Sequence, residues 1–560
     1  EAFLMAQARA RKIVAFRIVF AFVGTLLIIH TLPMFAQAPS FQGAVTYGSG
    51  GYAPISAALG DLNGDGILDI VVANQCVTSD SCPSGGGYVC TSADYCSHGA
   101  VGVLLGNGDG TFRPAVTYET GGYLSDSVAL GDLNGDGKLD LVVVNDCGAV
   151  PIDSDGKCPY ATVEVMFGNG DGTFGPPVSH QLDGWAPVSA ALGDLNGDGK
   201  SDIVVADICN MPNTCSETGC TCTTGLVEAL LNEGNGIFSG PIAYDSGAPF
   251  GRSVALGDVN RDGKLDVLVG NDGGVGVLLG NGDGTFKPAV MYSAGGQWIA
   301  VGDMNSDGKP DLLSVASQSS GMVDVLLGNG DGTFKPAITY PTGGEFANSV
   351  AVADVNGDGK PDLVVANLSG IWPDQRAVGV LTGNGDGTFQ PAVTFDSGGG
   401  SPFSVAAGDL NKDGRPDVVV LNTTGFGLGV LLNNTPFCTT APTITLSTTP
   451  ASLWPPNGKM VPVKISGTVT DTGSGCSIKA AAYAVKDEYS EVQPTGPVRL
   501  GVGGTYSFTV WLQASRLGTD LDGRRYTVTV RVSNNAGKTG SQAATVIVPH
   551  ERGSMKPASE

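Results

Sequence analysis

The sequence predicts an all-β fold in which a four-stranded unit is repeated seven times. A nine-residue segment with Asp at both ends recurs seven times between Asp61 and Asp417. A run of aliphatic and β-branched residues follows each copy, and Asn-Gly or Asp-Gly dipeptides separate the runs, as in β-hairpins. Units of four short antiparallel strands in series are typical of β-propellers. We therefore expect a seven-bladed β-propeller of four-stranded antiparallel blades.

The 560 residues begin with the features of a secretory signal. Basic residues from Arg9 to Arg17 precede an apolar run over residues 18–29, and Ala36-Gln37-Ala38 gives a small-x-small cleavage pattern. An uncleaved membrane anchor is the alternative, although the apolar run is short for a membrane span. We predict a signal peptide over residues 1–38 and an exported chain without a membrane span after cleavage.

The two ends of the repeat array complement each other. The last repeat reaches Leu431 and Leu432 but lacks the final strand of the other repeats. That strand pattern occurs instead near the N-terminus, over residues 41–47. Docking of 41–47 beside 428–432 would complete the seventh blade and leave no unpaired edge between the first and last blades. The propeller is therefore expected over residues 41–435, closed by its N-terminal strand.

The nine-residue segments are predicted metal-binding loops. Each has Asp at positions one, five and nine, Asn at position three and Gly at position six. Three carboxylates in so short a loop repel one another, and a divalent cation would relieve that repulsion. Oxygen ligands at alternate positions suit Ca²⁺ better than a softer metal. An EF-hand would require Glu at position twelve, where Val72 stands in the first copy.

These loops, which alternate with GNGDGTF turns, resemble FG-GAP or VCBS repeats, the bacterial relatives of the integrin α-subunit N-terminal propeller. The resemblance covers residues 41–435 and implies about seven Ca²⁺, one per blade. In that family the side chains at positions one, three, five and nine and the main-chain carbonyl of position seven bind calcium. The ligands so implied are Asp61, Asn63, Asp65, Ile67, Asp69; Asp132, Asn134, Asp136, Lys138, Asp140; Asp194, Asn196, Asp198, Lys200, Asp202; Asp258, Asn260, Asp262, Lys264, Asp266; Asp303, Asn305, Asp307, Lys309, Asp311; Asp354, Asn356, Asp358, Lys360, Asp362; and Asp409, Asn411, Asp413, Arg415, Asp417.

Charge and cysteine content fit an exported metal-binding chain. The net charge of −24 is concentrated in the Asp-rich loops. The sequence has no basic stripe, so we expect no nucleic-acid partner. The cysteines form even-numbered local groups, which predict disulfides in an exported protein. Zinc is the alternative for the third group, although its spacing lacks paired CxxC knuckles. The groups are Cys76, Cys82, Cys90 and Cys96; Cys147 and Cys158; Cys209, Cys215, Cys220 and Cys222; and Cys438 and Cys476.

The C-terminal residues have a different pattern. Residues 446–550 alternate apolar and polar residues between turns, which predicts a small antiparallel β-sandwich after a linker over 436–445. Residues 453–457 and 535–537 resemble those of bacterial immunoglobulin-like modules. A disordered tail is expected over 551–560.

Antiparallel connectivity assigns the loops to two ends of each blade. The metal loops and GNGDGT turns fall at one end, and the cysteine-rich inserts and interblade links at the other, where we expect the partner-binding surface. The Asp residues of the turns are predicted to shape hairpins rather than bind metal; they are Asp109, Asp171, Asp283, Asp331 and Asp386. One aromatic residue precedes each first strand, and packing is favoured over stacking on a sugar; these residues are Tyr52, Tyr123, Trp185, Phe250, Trp298, Phe346 and Phe403.

Signals for catalysis are weak. Beyond the signal segment only His98, His180 and His550 are present, which leaves little for Ser-His or Cys-His catalysis. The candidate acids outside the loops are Glu119, Asp126, Glu164, Glu228 and Glu345, and no two of them form an evident pair. We predict a non-catalytic binding or adhesion protein, secreted or held at the cell surface or in the periplasm, that contacts a glycan or an extracellular protein. A polysaccharide lyase or hydrolase and a structural cell-envelope component are the alternatives, and the oligomeric state is open.

Overall fold

The computed structural model describes residues 38–77, 98–148, 160–209, 215–216, 219–220, 224–316, 321–368, 377–424, 427–436, 440–471, 476, 478–489, 493–519, 523–534 and 537–550. Within these ranges the protein is all-β, and the single helical segment is a 3₁₀ turn at Val502–Gly504. No helix in these ranges is long and apolar enough to cross a membrane. The predicted signal peptide (apart from Ala38), the tail and most of the three cysteine-rich inserts lie outside the described residues.

Seven four-stranded antiparallel sheets, numbered I to VII, occupy the region of the repeats. Their strands, from first to fourth, are as follows: in sheet I, Tyr52–Gly60, Asp69–Cys76, Ala100–Leu104 and Val116–Glu119; in sheet II, Tyr123–Gly131, Asp140–Cys147, Thr162–Met166 and Val178–Gln181; in sheet III, Trp185–Gly193, Asp202–Cys209, Leu226–Leu230 and Ile242–Asp245; in sheet IV, Gly251–Gly257, Asp266–Asn271, Gly274–Leu278 and Val290–Tyr292.

The remaining three sheets follow the same order. Their strands are, in sheet V, Trp298–Gly302, Asp311–Ala316, Met322–Leu326 and Ile338–Pro341; in sheet VI, Ala347–Ala353, Asp362–Asn367, Ala377–Leu381 and Val393–Asp396; in sheet VII, Gly400–Gly408, Asp417–Thr424, Gly427–Leu431 and Val45–Gly48. Two short ribbons, Cys215–Ser216 with Gly219–Cys220 and Asn232–Gly234 with Ile237–Phe238, complete the region.

The second and third strands of each sheet form the cores. The second strand of sheet I, Asp69–Cys76, is buried along its whole length, because Ile and Val alternate onto both faces of a sheet that is covered on both sides. Each pair of consecutive sheets shares one apolar cluster, such as Val71 of sheet I with Val143 of sheet II. A further cluster joins sheet VII to sheet I, where Leu421 packs with Ile70.

The fourth strand of sheet VII comes from the N-terminus of the described region. Val45–Gly48 pairs antiparallel with Gly427–Leu431, with Val45 opposite Val430. Phe41 forms an isolated bridge with Asn433, and the Gln42 N–H donates to the Leu432 carbonyl at 2.8 Å. Residues 41–47 therefore lie beside the last repeat, in the place that the sequence predicted for them.

The C-terminal residues form two four-stranded antiparallel sheets around one core. Val463 and Ile465 of one sheet pack with Tyr526 and Val528 of the other. The first strand begins inside the predicted linker, at Thr443. The strands are Thr443–Ile444, Ser447–Thr449, Met460–Thr470 and Thr505–Gln513 in one sheet, and Thr495–Pro497, Ile478–Asp487, Arg524–Asn534 and Thr539–Val548 in the other.

Candidate functional site

Each nine-residue loop is folded around the carboxylate at its first position. In the first loop the Asp61 carboxylate accepts hydrogen bonds from the backbone N–H groups of Gly64, Asp65 and Gly66, at 2.8, 3.1 and 2.7 Å. Asn63 Oδ1 accepts the Asp65 N–H, and Asp65 Oδ1 accepts the Ile67 N–H. Gly66 has a φ of 73°, a backbone conformation that glycine adopts without strain. The oxygens of positions one, three and five are thus gathered by the turns of the loop.

The Asp at position nine ties the loop to the neighbouring hairpin turn. Asp69 is fully buried; its Oδ2 accepts the Leu62 N–H at 2.9 Å and its Oδ1 accepts the Gly106 N–H at 2.8 Å. The loop and the turn therefore lie at the same end of the sheet, as predicted. The equivalent pairs in the other sheets are Asp140 with Gly168, Asp202 with Asn232, Asp266 with Gly280, Asp311 with Gly328, Asp362 with Gly383, and Asp417 with Asn433.

The carboxylates of one loop act on one another electrostatically. Burial raises the pKa of Asp69, and the negative charges of Asp65 and Asp61 raise it further, against the lowering effect of the two N–H donors. The same causes raise the pKa of Asp362 to about 7 and that of Asp417 to about 6. Like charges held near one another in this way repel, and a bound divalent cation would reduce that repulsion.

The donor set of the loops fits a hard cation. It consists of carboxylate, amide and carbonyl oxygens, the ligands that Ca²⁺ prefers. In most copies the basic residue at position seven already approaches the position-five carboxylate, as Lys200 does to Asp198 at 2.6 Å, whereas the first loop has Ile67 there. Within the described ranges no three acidic, histidine or cysteine side chains converge closely enough to hold a metal ion as they stand. Calcium binding therefore stays a prediction.

The GNGDGT segments form tight hairpin turns. Asp109 Oδ1 accepts both the backbone N–H and the hydroxyl of Thr111, at 3.0 and 2.6 Å, and Gly106 bridges Phe112. The same bonds recur in the turns of Asp171, Asp283, Asp331 and Asp386. These carboxylates hold their own turns, which is the role that the sequence predicted for them.

Comparison with known proteins agrees with this arrangement of loops and turns. The family model described as FG-GAP-like repeat matches residues 88–143, 150–205, 258–314, 303–365 and 368–420, and that described as FG-GAP repeat matches 53–89 and 346–388. The chain is an FG-GAP repeat protein. No curated protein sequence matches it.

Solved structures similar to the FG-GAP repeat chain resemble it only distantly. One is an Agrocybe aegerita lectin that recognises non-reducing terminal N-acetylglucosamine; it is 18% identical, with 69% of this chain and 96% of that chain covered and a TM-score of 0.39. Another is BBS1N in complex with ARL6DN, at 12% identity, 70% and 96% coverage and a TM-score of 0.42. Similarity at this level carries no argument about function.

A buried carboxyl pair distinguishes sheet III from the other FG-GAP sheets. Five sheets have Asn at the sixth residue of the second strand. In four of them the Asn Oδ1 accepts a Ser or Thr hydroxyl of the preceding link, as Asn271 does from Ser246 at 2.8 Å, and in sheet I Asn74 donates to the Ser49 carbonyl. Sheet III has Asp207 there and Leu182 in the link, so neither Asp207 oxygen accepts a hydrogen bond from a described N–H or O–H group. Burial, and then the charge of Glu228, raise the pKa of Asp207 well above its ordinary value. A raised pKa favours the protonated form of Asp207 beside Glu228.

Glu228 is the second carboxyl group of the pair with Asp207. It is fully buried and accepts the N–H groups of Asp183 and Gly184 in the link before sheet III. In sheet II burial raises the pKa of Asp126 to about 7, and burial followed by the charge of Asp126 raises the pKa of Asp146. The sequence named Asp126 and Glu228 as candidate acids, but Asp146 and Asp207 were missed. The one available signal was the Asp that replaces Asn in the strand of sheet III.

The link aromatics do not share one structural position, which corrects the prediction of a single rim position before each first strand. Tyr52, Tyr123 and Trp185 are the first residues of their strands. Phe250 and Phe346 directly precede theirs, with φ values of 62° and 52°. Trp298 opens the first strand of sheet V and Phe403 lies inside that of sheet VII, and their rings meet edge to face at 5.8 Å.

The inserts are described only where they join the sheets. Cys76, Cys147, Cys209 and Cys476 are disulfide-bonded, but their partners are not identified among the described residues, so the predicted pairings stay predictions. His98, at the end of the first insert, stacks on Tyr123 with ring centroids 5.4 Å apart. Cys438 lies outside the described residues.

Proposed function

We propose that this FG-GAP repeat chain is an exported calcium-binding protein with a closed seven-bladed β-propeller and a C-terminal immunoglobulin-like sandwich. In this proposal it is a non-catalytic binding or adhesion protein whose partner is a glycan or an extracellular protein. The observation that carries the calcium role is the sevenfold repeat of a buried position-nine carboxylate beside two further carboxylates of the same loop, as in Asp61, Asp65 and Asp69.

Several contacts between the first and last repeats support the closed ring. Leu421 and Val430 of sheet VII share a core with Ile70 and Leu104 of sheet I. At the loop end the Lys412 ammonium of sheet VII donates to the Asp65 carbonyl at 3.3 Å. Closure in this way gives sheet VII its fourth strand, so that Gly427–Leu431 is not left as a free edge.

Bound calcium would supply positive charge to the loop. The residues that would hold it are those at positions one, three, five and nine, with the carbonyl of position seven. The N–H donors from the loop orient these oxygens, and the position-nine Asp connects the loop to the hairpin turn. Extracellular calcium modules commonly bind at about 10⁻⁴–10⁻³ M, so millimolar calcium is expected to saturate the loops.

The end opposite the loops is the proposed binding surface. The connection between second and third strands is long in sheets I to III, but in sheet IV only Asp272 and Gly273 separate the two strands. Variable loops on a rigid scaffold are where binding usually resides. Two of the five acids considered for an enzyme, Glu164 and Glu228, are 1% and 0% exposed and so lie out of reach of a substrate.

Thermal unfolding of the mature chain tests the calcium role. We expect the melting temperature to rise with added CaCl₂ and to fall in excess EDTA, because calcium binds the native loops and not the unfolded chain. Asp65→Asn should weaken this calcium response, whereas Asp109→Asn, in an exposed hairpin turn, should leave it intact. Identical melting curves in calcium and in EDTA would rule out calcium as a structural ligand.

A glycan and surface-protein array tests the binding role separately. Adhesion through the insert face predicts a saturable ligand that is retained by Asp109→Asn and lost when the first insert, residues 78–97, is shortened. If the folded, calcium-loaded protein binds no glycan or protein on the array, the structural alternative is favoured. Release of reducing ends from a polysaccharide on the array would favour the enzyme alternative.

A further inference from the structure

The first strands of all seven sheets surround one cavity of about 110 Å³. The residue four places before the end of each first strand faces it. This residue is serine in six sheets, namely Ser56, Ser127, Ser189, Ser253, Ser349 and Ser404, and tryptophan, Trp298, in sheet V. Because Trp298 stands in sheet V where the other six sheets have a small serine, the cavity is asymmetric.

The serine hydroxyls accept hydrogen bonds from the next sheet, and each hydroxyl can still donate its own hydrogen. Ser56 Oγ accepts the Val128 N–H of sheet II at 3.3 Å, and Ser127 Oγ accepts the Ala190 N–H of sheet III at 3.2 Å. A serine hydroxyl that accepts a hydrogen bond still has its own hydrogen for another acceptor. The wall of the cavity is therefore polar and well ordered.

Two further features break the symmetry of the wall. Trp298 and Phe403 form an edge-to-face pair with centroids 5.8 Å apart. Asp126 is the one ionisable residue among those that line the cavity, and the cavity lining includes no basic side chain. Asp126 Oδ1 accepts the Gln75 side-chain N–H at 2.7 Å, which is a neutral partner. An aromatic pair and an acidic side chain with no basic partner in the cavity lining thus face one space.

We propose that this cavity binds a compact organic cation, a small alkylammonium, with Asp126 as its counter-charge and Trp298 and Phe403 as its aromatic wall. Aromatic faces attract alkylammonium groups, most strongly where water is displaced. A neutral molecule would leave the Asp126 charge without a partner, and a small metal ion would not use the rings. A cavity of roughly 150 Å³ holds benzene, so this smaller one suits a ligand of about five heavy atoms.

Tetramethylammonium binding to the full mature chain tests the proposal. The titration is followed by calorimetry at pH 8 in saturating calcium, with tert-butanol as the neutral molecule of the same shape and NaCl at matched ionic strength. We expect tetramethylammonium to bind at least about tenfold more tightly than tert-butanol. Equal affinity for the two, displacement by sodium at equal concentration, or no saturable heat would overturn the proposal.

Matched variants locate the site. Asp126→Asn should weaken tetramethylammonium binding about tenfold or more, and Trp298→Leu about fivefold. Asp272→Asn removes the same charge outside the cavity lining and should bind as the native chain does. Should Trp298→Leu fail to fold, Trp298→Ser restores the residue of the other six sheets and serves in its place. Native affinity in a folded Asp126→Asn variant would refute the site.

Discussion

Asp69 and Gly106, 37 residues apart in the sequence, are joined by a buried hydrogen bond of 2.8 Å between the Asp69 carboxylate and the Gly106 N–H. The other oxygen of Asp69 accepts the Leu62 N–H. One side chain thus holds the metal loop, the start of a core strand and a hairpin turn together. These two hydrogen bonds give Asp69 a structural role that is separate from the metal-binding role proposed for it.

Asp69→Ala is expected to destabilise the fold even without calcium. It removes the acceptor of two buried N–H groups, and each unsatisfied group costs about 1–3 kcal/mol, so the free energy of unfolding should fall by about 2–6 kcal/mol. Urea unfolding in excess EDTA measures this. Asp109→Ala, which removes an exposed carboxylate that also accepts two hydrogen bonds, is the control and should cost less than about 1 kcal/mol. Equal effects of the two changes would contradict the structural role of Asp69.

Asp207→Asn is expected to stabilise the chain increasingly as pH rises. The native pKa of Asp207 is raised above its unfolded value near 3.8, so the folded state binds the extra proton. The stabilisation linked to that proton is complete below the unfolded pKa and is lost as pH rises through the folded pKa. Asn is neutral at every pH and can still donate to Glu228.

The measurement is the difference in melting temperature between the Asp207→Asn variant and the native chain, from pH 5 to pH 8 in saturating calcium. The difference in favour of Asp207→Asn should grow as pH rises from 5 to 8. Asp146, Glu228 and Asp183 also face Asp207 electrostatically, so Glu228→Gln should reduce the pH dependence of the difference. A difference that is constant over this range would show that Asp207 does not hold the proton.

Much of the strand order was predictable because each repeat marks its own turns. Asp-Gly and Asn-Gly define where strands end, and the buried second strands consist of Ile and Val on both faces, as in Ile70 and Val71. The position of the metal loops beside the hairpin turns followed from antiparallel connectivity alone.

The carboxyl pair and the cavity were not predictable from one sequence. Asp207 has an oxygen where the Asn of the other repeats has a nitrogen. Its raised pKa depends in part on Glu228, which lies 21 residues later in the sequence but on the adjacent strand. Trp298 and Phe403 occupy different positions in their own repeats, and they meet only because sheets V and VII face the same space. The aromatic residues were therefore grouped by sequence position although the fold separates them.

Removal of the N-terminal strand is expected to destabilise sheet VII and promote association. Deletion of residues 38–48 exposes the edge of Gly427–Leu431 and uncovers the contacts of Phe41 and Tyr47 with the cores. The free energy of unfolding should fall by at least about 3 kcal/mol, and light scattering should detect dimers or larger species formed through the free edge. A synthetic 38–48 peptide should restore the monomer, and a scrambled peptide should not. A monomeric truncated protein of native stability would refute the role of this strand.

The C-terminal sheets contain a buried ion pair whose loss should be costly. Arg524 and Asp487 side chains are 2% and 0% exposed, and the Arg524 guanidinium also lies 4.7 Å from the Tyr489 ring centroid. Asp487→Ala leaves a buried charge without its partner, which should lower the free energy of unfolding of these sheets by about 3–5 kcal/mol. The half-exposed pair Arg252–Asp272 is the control, since Asp272→Ala should cost no more than about 1 kcal/mol. Calorimetric unfolding of the full chain measures both.

The Arg524–Asp487 pair lies far from the nine-residue loops in sequence and shares no core cluster with them. The effect of Asp487→Ala on unfolding should therefore be the same in calcium and in EDTA. A calcium-dependent effect would show that the two regions unfold together.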